Sequence, residues 1–269
     1  RSQTRSGRTT ATPAGHGSVT RPVVLITGGG GGMGRAIAQR FYDGADVVAA
    51  DVDGDRLAAL ADELPGIDTV IVDVSDVFAC DSMVERTVQL HGRLDVVVGA
   101  AGVWVEGPAD RMTEAQWDRV IGANLKGAFF TCRAAIPHLI RTGGSIVLIS
   151  SDYGLVGGPD ASVYAASKFG VNGIVRSLAI ELAPKGVRVN SICPADVDTP
   201  MLAGQAREYG EGDEAGYLQR LLDTLPQAER ARFITPEEVA GVVAFLCSPE
   251  AAPITGACIP MEWGATAGY

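Results

Sequence analysis

The sequence predicts one doubly wound α/β domain, a seven-stranded, mainly parallel sheet with helices on both faces. Short β-branched runs alternate with helix-period segments of ten or more residues from Val23 onward, the order of a βαβ fold. Most of those runs are apolar at consecutive positions, as strands covered on both sides are. At 269 residues, with 46% apolar and 20% charged side chains, the chain has enough material for one large core.

Strands are expected at Val23–Ile26, Asp46–Ala50, Thr69–Val72, Asp95–Val98, Ser145–Ile149, Val187–Ile192 and Ala257–Pro260. Ahead of the first, residues 1–21 contain Arg1, Arg5, Arg8 and Arg21, no acid, and many Ser, Thr and Gly. They read as a flexible tail, with the folded domain over 22–269. A glycine run precedes the first helix, which starts near Arg35, and Asp53 stands where it would cap the second. Thr113-Glu114-Ala115-Gln116 and Thr235-Pro236-Glu237-Glu238 each place Gln or Glu three residues after Thr. That spacing lets two side chains satisfy the orphan amides of a first helical turn, and Pro236 falls where a missing N–H costs nothing. The long helices are expected over Thr113–Ile140 and Tyr164–Leu182. Residues 199–232 differ, with four glycines between Gly204 and Gly216, the acids Glu208, Glu211, Asp213 and Glu214, and then a Leu-rich stretch. They read as a mobile helical lid over the edge where strands end, a place where substrates are touched.

Composition narrows the function. Lys and Arg total 22 against 32 Asp and Glu, a net charge of −10, which argues against a nucleic-acid partner or an anionic membrane surface. No apolar run approaches the roughly 18 residues of a membrane span. Cys80, Cys132, Cys193, Cys247 and Cys258 are scattered through apolar stretches without a C-x-x-C pair, as reduced core thiols are, so a reducing, cytoplasmic setting is expected. His16, His91 and His138 lie far apart, so no metal site is expected. Gly-x-Ser-x-Gly is absent and no histidine follows His138, which removes a Ser-His-Asp hydrolase.

The first strand runs into Thr27-Gly28-Gly29-Gly30-Gly31-Gly32-Met33-Gly34 and then a helix. Glycines let the backbone turn with positive φ and let a pyrophosphate approach the main chain, while the new helix aims free amides at it. Between strand and helix this is the context of a dinucleotide site. Asp51, closing the second strand 23 residues after Gly28, can accept hydrogen bonds from the adenosine ribose and would repel a 2′-phosphate. No Lys or Arg stands in the glycine loop and Val52 follows Asp51, so NAD is expected over NADP. Asp73, with its neighbour Val74, closes the third strand where the adenine ring would lie.

Tyr164-Ala165-Ala166-Ser167-Lys168 opens an apolar helix. Spacing of four puts phenol and ammonium on one helix face. A free tyrosine, with pKa near ~10, is a poor base at neutral pH, and a nearby Lys⁺ favours its phenolate. Ser151 lies 13 residues upstream at the carboxyl end of the fifth strand, where ligand sites of open α/β sheets gather. Together these residues resemble the short-chain dehydrogenase/reductase family over roughly Pro22 to Gly264. Its glycine fingerprint corresponds to Thr27, Gly28, Gly32 and Gly34, its Tyr-x-x-x-Lys to Tyr164 and Lys168, its catalytic serine to Ser151 rather than Ser150, and its helix asparagine to Asn124.

The resemblance implies a Rossmann fold and a set of roles. Tyr164 would take the hydroxyl proton while hydride passes to the nicotinamide, and Ser151 would hydrogen-bond the reacting oxygen. Lys168 would bind the nicotinamide ribose and depress the tyrosine pKa, and Asn124 would hold a water joining Lys168 to solvent. Gly28, Gly32, Met33, Gly34, Ala100, Ala101 and Gly102 would underlie the coenzyme, with Pro194, Val197 and Thr199 at the carboxamide. Three departures stand out: Gly99 where the family has a bracing Asn, Ala195 in place of the Gly of a Pro-Gly turn, and Met261-Glu262-Trp263-Gly264 in place of Asp-Gly-Gly. Trp104, Asp152, Tyr153, Gly157 and Pro159 would line the substrate pocket with the lid, and the acids fit a neutral polyhydroxy or cyclic alcohol or ketone better than an anion. The expected activity is an NAD-dependent alcohol dehydrogenase or carbonyl reductase. An NADPH-dependent biosynthetic ketoreductase is the alternative, and a non-catalytic dinucleotide sensor or scaffold is a third reading that a proton-transfer set argues against. The family resemblance implies a homotetramer, with a dimer next.

Overall fold

A computed structural model describes residues 21–268. Of the tail expected over 1–21, residues 1–20 lie outside the described residues. Arg21 is tied down, its guanidinium 3.2 Å from Asp46 and donating to the carbonyls of Tyr42 and Ala45.

Seven strands form one sheet: β1 (Val23–Thr27), β2 (Asp46–Asp51), β3 (Asp68–Ile71), β4 (Val96–Gly99), β5 (Ser145–Ile149), β6 (Arg188–Pro194) and β7 (Cys258–Met261). Their order is β3-β2-β1-β4-β5-β6-β7 and every pairing is parallel. The expected strands are all present, with ends shifted by one or two residues at most. The sheet is therefore wholly parallel. Strand order reverses between β1 and β4, and the crevice above their carboxyl ends is where such sheets bind ligands.

Between the strands lie α1 (Gly32–Tyr42), α2 (Gly54–Glu63), α3 (Val77–His91), α4 (Glu114–Val120), α5 (Ala128–Thr142), α6 (Ser162–Leu182), α7 (Pro200–Tyr209), α8 (Glu214–Asp223) and α9 (Pro236–Cys247). They build a core on each face of the sheet. On one side Ile37 of α1, Leu60 of α2 and Val243 of α9 meet Val24, Ile26 and Val98. On the other Met83 of α3, Leu139 of α5 and Val175 of α6 meet Leu25, Val97 and Ile146. Strands buried on both sides explain why their sequences run apolar without alternation.

The helix expected over Thr113–Ile140 starts where its cap predicts: Thr113 accepts from the Gln116 amide, and Gln116 accepts from the Thr113 amide at 2.9 Å. It is not uniform. A π-helical segment, Ile121–Gly127, separates α4 from α5. Such insertions cluster at functional sites, and this one carries Asn124. Gly127 is required there, because a Cβ would stand 2.7 Å from the Val74 side chain. The segment expected as a lid, 199–232, holds two helices, α7 and α8. They are tied to the loop after β4 by Glu106, whose amide donates to the Tyr209 hydroxyl at 3.3 Å and whose carboxylate accepts from Tyr217 at 2.8 Å.

Candidate active site

The turn from β1 to α1 is shaped by glycine. Gly28 has φ of +68°, and a Cβ on it would stand 2.7 Å from the Ala101 amide nitrogen. A Cβ on Gly34 would overlap the Gly28 carbonyl. Side chains are excluded, so main chain alone lines the turn, and no side chain caps the first amides of α1. Free amides, the positive end of a helix and a surface without side chains form a cradle that fits a pyrophosphate.

A cleft of about 630 Å³ opens over this cradle. Gly28, Gly32, Met33 and Gly34 line it on the β1 side, Asp51, Asp73 and Val74 at its far end, and Ala100, Ala101, Gly102 and Thr199 opposite. Asp51 is held by two backbone amides, Gly30 on Oδ2 and Asp53 on Oδ1, each at 3.0 Å. Asp73 accepts from the Ser75 amide at 2.9 Å, so its carboxylate also serves the turn it closes. The sequence offered no cation near Asp51, but the fold supplies one. Arg56 lines the same cleft, its guanidinium bound to Asp53 at 3.0 Å.

A second cavity, of about 750 Å³, adjoins the first and shares Met33, Trp104 and Thr199 with it. Ser151, Asp152, Tyr153, Gly157, Pro159, Tyr164, Pro194 and Val197 lie on its walls. Trp104 packs edge-on to Tyr164, with ring centroids 4.4 Å apart, and stacks on Tyr153. Its indole N–H donates to Glu106 at 3.2 Å. Trp104 is thus a wall of the cavity as well as a packing residue.

Ser150 and Ser151 both line this cavity, and Ser151 is the acceptor and donor of a small network at its wall. Its hydroxyl donates to Asp152 Oδ1 at 2.7 Å and accepts from the Tyr153 amide. Ser150 instead donates to the Lys168 carbonyl and braces α6. Lys168 lies beneath the cleft. Its Nζ donates to the Ile149 carbonyl at 2.9 Å and stands 5.5 Å from the centre of the Tyr164 ring. Asn124 accepts from the Val103 amide at 2.8 Å and donates to the Val103 carbonyl and Ser167. A Cβ on Gly102 would lie 3.3 Å from Asn124 Oδ1 and 3.8 Å from Lys168 Nζ, so these three residues converge.

Electrostatics depart from the sequence expectation. Burial, with Asp152 and Asp196 nearby, raises the Tyr164 phenol above its ordinary pKa, and the Ser151 hydroxyl only partly offsets this. Lys168, lowered to about 8 by its own burial, donates to the Ile149 carbonyl and is not among the groups that shift the phenol. Asp152 is raised, chiefly by burial. Asp196 is pushed up to about 7 by burial and by the neighbouring Asp152 and Glu106.

Glu106, Asp196, Tyr217 and Arg56 are site residues that the motifs did not single out. Asp196 follows Pro194-Ala195 and was visible only as part of that segment, and Glu106 lies in an irregular loop with no periodicity to mark its facing. The three departures from the family pattern have local reasons. A Cβ on Gly99 would stand 2.6 Å from Leu148, so an isobutyl group fills the place of the bracing amide. Ala195 does not sit at positive φ, so its turn does not need glycine. Trp263 does, at φ 59°, with the Arg232 guanidinium 4.6 Å from its ring centre.

Comparison with known proteins agrees with this geometry. The sequence profile described as enoyl-(acyl carrier protein) reductase matches residues 29–266. The 3-oxoacyl-[acyl-carrier-protein] reductase of Thermotoga maritima is 39% identical over 251 residues, 90% of this chain and 96% of that protein. The meso-2,3-butanediol dehydrogenase of Serratia marcescens is 39% identical over 248 residues, 91% and 94% of the two. The crystal structure of levodione reductase superposes with a TM-score of 0.86 at 32% identity, covering 92% of this chain and 98% of that one. Matched by that profile over residues 29–266 and by such relatives over nine-tenths of its length, the chain belongs to the short-chain dehydrogenase/reductase family of NAD(P)-dependent oxidoreductases.

Proposed function

We propose that this protein is an NAD-dependent alcohol dehydrogenase or carbonyl reductase acting on a small secondary alcohol or ketone, polyhydroxy or cyclic. One observation carries the reading: Tyr164 lies with Ser151 on the wall of a cavity of about 750 Å³ that opens into the glycine-lined cleft. NAD, when bound, supplies a hydride acceptor at the nicotinamide and returns hydride in the reverse direction. Tyr164 Oη receives the proton of the substrate hydroxyl, or gives it back on reduction. Ser151 turns its hydroxyl from Asp152 to the substrate oxygen, where charge changes. Thr199, which lines both cavities, with Pro194 and Val197 on the substrate side, would orient the carboxamide, and Lys168, under Gly102, would bind the nicotinamide ribose. A cation brought in by the coenzyme is what would lower the raised phenol, because the fold alone holds it up.

Asp51, fixed by two amides at the far end of the cleft, supports NAD. Arg56 on the same wall favours a second reading, an NADPH-dependent ketoreductase. The acids Glu106, Asp152 and Asp196 on the substrate cavity speak against carboxylate-bearing or phosphate-bearing substrates. We place the protein in the cytoplasm as a homotetramer.

The test is a screen of polyols, sugars, cyclic alcohols and ketones at the NADH absorbance, with Tyr164→Phe beside the wild type. Loss of about 10²–10⁴-fold in kcat is expected for a general acid/base, with NADH binding retained. Full turnover by Tyr164→Phe would sink the assignment, and the ratio of kcat/KM for NAD and NADP decides between the two enzyme readings.

A further inference from the structure

We propose that Asp196 selects substrates with a second hydroxyl next to the reacting carbinol, a vicinal diol on oxidation and an α-hydroxyketone on reduction, by accepting that hydroxyl's hydrogen bond. This deepens the function proposed above and rests on it.

The case begins with three carboxylates on one cavity wall, Glu106, Asp152 and Asp196. Two are already satisfied. Glu106 accepts from Tyr217 and from the Trp104 indole, and Asp152 accepts from Ser151 and the Tyr153 amide. Asp196 has its backbone carbonyl engaged by the Ile234 amide, but its carboxylate has no hydrogen bond or ion pair among the described residues. The one cation on the wall, Arg220, lies over the Tyr217 ring. A partly buried carboxylate that faces a cavity without a protein partner is free to take a ligand's donor.

Position and charge choose the donor. Asp196 shares its cavity with Tyr164 and Ser151 and stands between Pro194 and Val197 in its lining, and its charge reaches the phenol, so the group it reads lies near the reacting carbon. At about 7, the carboxyl is shared between charged and neutral forms near neutrality. In either form it can accept from a hydroxyl, and the neighbouring hydroxyl is unchanged when the carbinol beside it becomes a ketone, so one contact serves both directions. A carboxylate in that place would face three acids, and an ammonium is the competing donor that the test separates.

The test compares cis-1,2-cyclohexanediol with cyclohexanol, and with 2-aminocyclohexanol, in wild type, Asp196→Ala and Asp196→Asn. Wild type should prefer the diol in kcat/KM. Asp196→Ala should lower the diol-to-cyclohexanol ratio by about 10- to 100-fold, the range for losing a hydrogen bond to a charged group, and Asp196→Asn, isosteric and still an acceptor, should lower it less. NADH binding by fluorescence shows that the variants are folded. An unmoved ratio in both variants overturns the assignment, as does an Asp196-dependent preference for the amino alcohol. In those cases cyclohexanol turnover that Tyr164→Phe abolishes leaves the general function standing. If no alcohol or ketone reacts with either coenzyme, both fall.

Discussion

Tyr164 and Asp196 show how burial sets the chemistry of this site residue by residue. The sequence places a lysine one helical turn from the tyrosine, and that spacing predicts a depressed phenol. The fold instead buries both groups, aims the ammonium at the Ile149 carbonyl, and leaves two acids to raise the phenol. Spacing on a helix was legible; the direction of Nζ was not, because it depends on which carbonyls β5 presents. Asp196 gives a testable consequence. Its pKa is raised from 3.8 to about 7, so between those values the folded state holds a proton that the unfolded chain has released. Stability therefore falls as pH rises through that window, and the full penalty is present above it. Asp196→Asn removes the penalty. Its Tm should exceed that of the wild type by at least ~2 °C at pH 8, with the gain shrinking towards zero as the pH approaches 4. Thermal melts across that range check this, and a gain that grows with acidification would refute it.

Among the elements, strands and capped helix starts were written most plainly, since each depends on neighbours in sequence. Val23–Thr27 and Ser145–Ile149 are each four consecutive apolar residues with one polar end and are wholly buried, and both Thr caps form the boxes their spacing predicts. At α9, Thr235 accepts from the Glu238 amide at 3.2 Å, Glu238 accepts from the Thr235 amide at 2.9 Å, and Arg232 grips the same carboxylate. Glu238 is consequently held down at about 2, first by Arg232. Thr235→Ala should cost about 1 kcal/mol, a fall in Tm of about 2–4 °C, while kcat/KM stays unchanged because the cap stands outside both cavities. Differential scanning calorimetry with steady-state kinetics would separate the two, and a loss of turnover without a fall in Tm would contradict the assignment. The π-helical segment at Ile121–Gly127 was hidden from sequence. Its cause is tertiary: Gly127 meets Val74 and Asn124 meets Val103, contacts with residues 53 and 21 positions away.

At the scale of the whole molecule, a parallel sheet sheathed by helices leaves the outer helix faces as the places where association can occur. Most are polar, as a chain of net charge −10 should be. On α6, Phe169 is 48% exposed and Ile180 80%. Eleven residues apart, they stand on the same side of the helix, since three turns of about 3.6 residues nearly close on eleven. Phe129 on α5, which packs against α6, is 40% exposed. Three large apolar side chains on adjoining helices form a patch of the kind that subunit interfaces cover. Which side of α6 faces the sheet and which is left over is told by the fold alone. Ile180→Glu places a carboxylate where a symmetry-related copy would bring its twin, so like charges would meet across a two-fold axis. Sedimentation equilibrium should find the wild type at four times the chain mass and Ile180→Glu at a smaller multiple, with far-UV circular dichroism unchanged. A wild-type protein that sediments as a monomer at micromolar concentration would remove α5 and α6 as an interface.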